Sequence, residues 1–162
     1  MPKRLSLALL LTISVLLALA TVAVASEIST ASPEHWILNL QKSDFGKVPA
    51  PKSGALTVNE QGEKLSWTYS GEDEKGAPIK ASFDGAYDGK PYPVRGTYPA
   101  TASYKRNGDG TTAGTWTEER YTSQSVISVS PDRRTLTVKN TSTSLDESGH
   151  PITWTEVYDK KD

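Results

Sequence analysis

The chain has 162 residues, with 18 Lys+Arg against 19 Asp+Glu, two His and no Cys. That length holds one domain and leaves no room for a large catalytic scaffold beside it. The lack of Cys excludes disulfides, thiolate metal sites, a Cys nucleophile and lipid attachment at an N-terminal Cys, and the near-neutral charge argues against nucleic acid, whose binding needs concentrated Lys and Arg to displace counterions.

Lys3 and Arg4 open the chain as a short basic region. The apolar stretch 5–25 follows and ends in Ala23-Val24-Ala25, a small-x-small site ahead of Ser26. This is the layout of a secretory signal peptide over residues 1–25. The stretch is also just long enough to span a bilayer, so an uncleaved anchor is the alternative, and the one way this chain would touch a membrane. Both readings place the rest outside the cytoplasm, periplasmic or extracellular, because the positive end stays inside.

Beyond residue 25 the chain is lean. Leu, Ile, Val and Phe number only 20, which can signal disorder, but the net charge there is only −3 and disorder usually needs more. All four Trp and all seven Tyr lie in this part. Each buried aromatic removes roughly 150–250 Å² from water, so these eleven can carry a core that aliphatics cannot.

Residues 26–34 read as a frayed tail. From there the sequence alternates. Trp36, Leu38 and Leu40 share one face of a first strand. Pro49 and Pro51 mark a bend over 47–54, with at most one short helical turn near 41–52. Leu56 and Val58 follow, then Leu65, Trp67 and Tyr69, then Ile79, Ala81 and Phe83. Trp116, Glu118 and Arg120 share a face, as do Ile127 and Val129, Leu136 and Val138, and Ile152, Trp154, Glu156 and Tyr158. Period-two alternation predicts sheet with one buried face. Turn residues separate the runs at Gln61-Gly62, Asp73-Glu74-Lys75-Gly76, Asp88-Gly89, Asn107-Gly108-Asp109-Gly110, Pro131-Asp132 and Asp146-Glu147-Ser148-Gly149. The pattern predicts an all-β domain over 35–162, a single antiparallel up-and-down barrel of about 8–10 strands. A faint repeat, Asp73 to Ile79 against Asp146 to Ile152, fits two hairpins that solve one turn problem.

Several patterns imitate functional motifs. His35 and His150 lie at opposite ends of the domain without ligand spacing. Asn107-Gly108-Asp109-Gly110-Thr111 with Glu118 imitates a calcium loop, but Thr112 stands where that loop needs Gly, so a plain hairpin is expected. Asn140-Thr141-Ser142 fits the glycosylation pattern. Asp73, Glu74, Asp146 and Glu147 sit at turn tips, where carboxylates are solvated. Glu156 is different: if Trp154 faces inward, so does Glu156, and an inward carboxylate must find a partner, with Arg120 or Arg106 the candidates, or stay protonated, or else it sits wet near the barrel mouth.

The strand His35-Trp36-Ile37-Leu38-Asn39-Leu40, with Lys42-Ser43-Asp44-Phe45-Gly46, Pro49-Ala50-Pro51-Lys52-Ser53, Tyr87-Asp88-Gly89-Lys90-Pro91-Tyr92-Pro93-Val94 and Arg134-Thr135-Leu136-Thr137-Val138, resembles a family of small exported bacterial lipocalin-like proteins. The resemblance covers most of 36–160, and Arg133 stands at a turn where that family commonly has Gly. More remotely the chain is similar to the calycins, the lipocalins and fatty-acid-binding proteins. Trp36 matches the Trp that closes the calycin barrel base. The last strand, Thr155-Glu156-Val157-Tyr158-Asp159-Lys160, is similar to the fatty-acid-binding Thr-Arg-Val-Tyr-Glu-Lys, with Glu156 in place of the Arg that receives a ligand carboxylate. Residues 41–54 are too short and Pro-rich for the two lid helices of those relatives.

The expectation is an exported binding module for a small apolar or lipid-like ligand, with Trp67, Tyr69, Phe83, Trp116, Arg120, Trp154, Glu156 and Tyr158 as candidate ligand-binding residues and no cofactor or metal. The alternative is a filled barrel without ligand that acts through its surface on an envelope or extracellular protein, an inhibitor of an exported hydrolase included. An enzyme ranks last, since the sequence carries no Gly-x-Ser-x-Gly elbow, Cys nucleophile, metal cluster or phosphate loop.

Overall fold

The structure, a computed structural model, describes residues 32–119 and 121–162. The expected signal segment, most of the expected tail and Arg120 lie outside the described residues. Ten strands follow one another in chain order: β1 (Glu34–Leu38), β2 (Ser53–Gln61), β3 (Lys64–Glu72), β4 (Pro78–Ala86), β5 (Tyr92–Gly96), β6 (Ala100–Arg106), β7 (Thr112–Thr117), β8 (Thr122–Val129), β9 (Thr135–Leu145) and β10 (Pro151–Lys160). Each pairs antiparallel with its sequence neighbours, and β1 also pairs with β10, so the sheet closes into an up-and-down barrel. Closure leaves no unpaired sheet edge. The all-β class, the single barrel and the strand number agree with the sequence pattern, and no helix occurs among the described residues.

The turns explain the connectivity. Asp73 and Asp146 build the same reversal: each side-chain carboxylate accepts the backbone N–H of the residues two and four positions on, and each backbone N–H donates to the carbonyl four positions on. The faint repeat is therefore a repeated turn. Both reversals end in a Gly at positive φ, Gly76 at 87° and Gly149 at 80°. The β8–β9 turn takes the same left-handed step with a side chain, Arg133 at φ 55°, where L residues are strained.

The core is split. One cluster joins Leu65, Phe83, Tyr87, Val94 and Ala102, and the other joins Trp36, Leu38, Leu136 and Tyr158. Trp36 is 1% exposed, the largest fully buried side chain, and sits beside the seam where β1 meets β10. Leu40 departs from the alternation: β1 ends at Leu38, and Leu40 is 42% exposed. The cause is Asn39, whose side-chain oxygen accepts the N–H groups of Gln41 and Lys42 and turns the chain out of the strand. The segment after it continues along β10 in the direction of β1, with Asp44 bridged to Thr155, and its Phe45 packs on the second cluster.

Candidate functional site

A barrel of eight strands has an interior just wide enough for side chains to fill. This barrel has ten, and several inward positions hold small residues: Ala81, Gly114, Ser123 and Ser125. The result is a cavity of about 800 Å³. One mouth lies among the β2–β3, β6–β7 and β8–β9 turns, where the exposed Asn107, Gly110, Pro131 and Arg133 border it.

The cavity has two unlike walls. On β3, β6 and β7 the wall is aromatic. Trp67 lies between Phe83, 5.7 Å away at 9°, and Trp116, 6.4 Å away at 24°, and Tyr104 meets Phe83 edge-on at 5.0 Å. On β8, β9 and β10 a polar group, Ser123, Ser125, Asn140 and Glu156, interrupts a lining that otherwise holds Ile127, Leu136, Val138, Trp154 and Tyr158. Ser123 and Asn140 are buried there, and Ser125 donates to the Asn140 side-chain oxygen at 2.6 Å. Asn140 Nδ2 in turn faces Glu156 Oε1 at 3.4 Å.

Glu156 is the centre of the polar group. Trp154 Nε1 donates to Oε1 at 3.0 Å, and the Tyr158 hydroxyl donates to Oε2 at 2.5 Å. All three partners are neutral. Arg106, one of the expected neutralising residues, is engaged elsewhere: it reaches Glu63 at 3.2 Å and Glu60 at 3.8 Å and lies 4.1 Å above the Tyr87 ring. Position along the barrel decides this, since Arg106 ends β6 at the mouth. Arg120, the other expected partner, falls outside the described residues.

A second carboxylate repeats the arrangement. Glu118 Oε1 accepts Trp116 Nε1 at 2.8 Å and the Tyr121 hydroxyl at 3.2 Å. The sequence signal for it is the tetrapeptide Thr-Trp-Thr-Glu, which occurs at Thr115 to Glu118 and again at Thr153 to Glu156. In a strand the Trp and Glu of that unit share one face, so the indole N–H meets the carboxylate two residues ahead.

The phenols around these carboxylates are held neutral. Burial, and then the charge of Glu156, push Tyr69 up to about 12. Burial and Glu118 do the same to Tyr121, also to about 12, with a further push from Glu156. Tyr158 is raised well beyond the ordinary range by burial, by the Glu156 charge and by its hydrogen bond to Glu156.

Of the expected residues, Trp67, Tyr69, Trp116, Trp154, Glu156 and Tyr158 all border the cavity. Phe83 does not: it is 3% exposed, buried behind Trp67 in the aromatic stack. The residues that alternation of apolar side chains misses are Ser123, Ser125 and Asn140. Parity could have found them, because Ser123 and Ser125 share a face with Ile127, and Asn140 with Val138. Asn140 is 7% exposed, so the glycosylation pattern it begins lies against the cavity. The loop that imitates a calcium site is a hairpin turn in which Asp109 accepts the N–H and hydroxyl of Thr111.

At the mouth the carboxylates are matched by cations. Glu34 meets Arg133 at 2.6 Å and Lys160 at 2.9 Å. Burial pulls Glu34 upward, but these two partners outweigh it and hold it below the usual carboxylate range. No protein-family model matches the sequence, and no curated protein does.

Proposed function

We propose that the chain is an exported binding module that holds one small, largely apolar molecule inside its barrel, in the manner of the lipocalin-like proteins it resembles. The observation that carries this reading is the cavity of about 800 Å³, lined mainly by aromatic and aliphatic side chains with one polar group around Glu156. Small-molecule sites are commonly concave spaces of roughly 300–1,000 Å³, mostly apolar, with a few convergent polar groups. The filled-barrel alternative expects side chains where this interior has small residues and space. A binding role also asks for no nucleophile or metal, in keeping with the sequence, and export rests on the layout of residues 1–25.

The test is a fluorescence titration with N-phenyl-1-naphthylamine, a neutral apolar probe, on the purified barrel. Saturable enhancement at one probe per chain is the expected result, and it disappears in Ile127→Trp, which fills the cavity from β8 while circular dichroism remains that of a barrel. Absence of saturable binding, together with no molecule recovered by solvent extraction and mass spectrometry, overturns the proposal.

A further inference from the structure

We infer that the ligand is an organic cation, a protonated amine on an apolar or aromatic body, seated with its ammonium group against Glu156. The inference rests on the binding-module reading above and names the ligand class for that same cavity.

The first argument is a contrast between two places in one barrel. At the mouth, Glu34, Glu60 and Glu63 each stand within ion-pair distance of Arg or Lys. In the interior, Glu156 receives hydrogen bonds from Trp154, Tyr158 and Asn140, none of which brings positive charge. Among the described residues no ion pair reaches Glu156 or its counterpart Glu118. The donors fix the carboxylate in position without neutralising it. A carboxylate has about four acceptor sites, and three are used, so one is left for a ligand N–H.

The second argument is the wall around it. Trp154 borders the cavity yet belongs to neither core cluster. Its N–H edge is spent on Glu156, and its ring is free of the stack formed by Trp67, Phe83 and Trp116. Aromatic rings attract cations over their faces, most strongly when the site is shielded from water. Tyr69 and Tyr158 stand beside the same carboxylate as neutral phenols. Together these groups favour positive charge and disfavour an anionic head, which would face Glu156 directly. The apolar body then lies against the aromatic wall across the cavity.

The test compares three dansyl probes by fluorescence titration at neutral pH and low salt. Dansylcadaverine is cationic, its N-acetyl derivative has the same body without the charge, and 11-(dansylamino)undecanoate is anionic. In the natural chain dansylcadaverine should bind at least 10-fold more tightly than its acetylated form, a difference of about 1.4 kcal/mol, and the undecanoate most weakly. Glu156→Gln, which keeps the acceptor oxygen for Trp154, should reduce that ratio to near one, and Glu60→Gln at the mouth should leave it. Equal binding of the cationic and acetylated probes to the natural chain overturns the inference while leaving the binding module intact. So does a ratio unchanged in Glu156→Gln. Failure of all three probes to bind overturns the inference, and the binding module falls with it only if N-phenyl-1-naphthylamine also fails to bind and extraction recovers no molecule.

Discussion

Trp154 and Glu156 lie on the same face of β10, and the indole N–H of the first donates to the carboxylate of the second at 3.0 Å. The bond depends only on the two-residue period of a strand, so any Trp-x-Glu unit facing inward can form it. The end of β7 forms it again, with Trp116 on the strand and Glu118 one residue beyond it, at 2.8 Å. A polar group is thus placed in an aromatic interior together with its own donor.

Replacing Glu156 separates its two roles. Glu156→Leu removes the acceptor for the Trp154 indole and the Tyr158 hydroxyl, and each buried donor left without a partner costs about 1–3 kcal/mol. Glu156→Gln keeps an acceptor and should cost well under half as much. Urea unfolding of both variants checks the order, and equal midpoints would contradict it.

Trp36 should dominate the seam between β1 and β10. It is 1% exposed and packs with Leu38, Leu136 and Tyr158. Trp36→Ala should cost roughly 3–5 kcal/mol, the usual range for deleting a buried aromatic. The shift in the urea midpoint measures it, and an unshifted midpoint would mean that the seam holds without this ring.

Stability should fall in alkali. Tyr69, Tyr104 and Tyr121 are pushed up to about 12 in the folded barrel, chiefly by burial. In the unfolded chain tyrosine loses its proton near pH 10. Between about pH 10 and 12 the unfolded state therefore binds fewer protons than the native one, and the free energy of unfolding declines as pH rises. The stabilisation is complete below about pH 10. Urea midpoints from pH 8 to 11.5 should decline only above about 10, and tyrosinate absorbance should appear together with unfolding for the buried rings.

Arg133 holds a left-handed conformation, φ 55°, at the β8–β9 turn and pairs with Glu34 across the mouth at 2.6 Å. Gly adopts that conformation without strain, whereas a β-branched side chain is a true outlier there. The ion pair is half-exposed and worth little. Arg133→Gly should therefore be at least as stable as the natural chain, and Arg133→Val should lose about 1 kcal/mol or more. Thermal melts of both variants decide it, and a melting point lower for Gly than for Val would reverse the argument.

The fold was legible because a one-faced sheet writes its period into the sequence. Leu65, Trp67 and Tyr69 on β3 and Leu136 and Val138 on β9 point inward as their spacing requires. Leu40 misled because one short Asn side chain turned back on the backbone and ended the strand before it. The site was half legible. Parity places Trp154, Glu156 and Tyr158 on the inner face, but it gives no depth, so Phe83 could not be told from a lining residue. Nor does charge alone reveal that Arg106 would stop at the mouth with Glu60 and Glu63. The Ser123, Ser125 and Asn140 group is hidden from any search for inward apolar residues, since its inward positions are polar.

The seam between the first and last strands has a kinetic side. Glu34 on β1 meets Lys160 on β10, 126 positions later, and Trp36 pairs opposite Lys160 across the same seam. Hairpins such as β3–β4 bring near neighbours together and can form early, but closure must wait until the final strand has been synthesised. Loop entropy is spent before that last pairing stabilises anything, and chains rich in such distant pairings fold slowly. Loss of the last ten or so residues would therefore do more than shorten a strand. It would leave β1 and β9 as open edges and expose an aromatic interior to every other chain in the same condition.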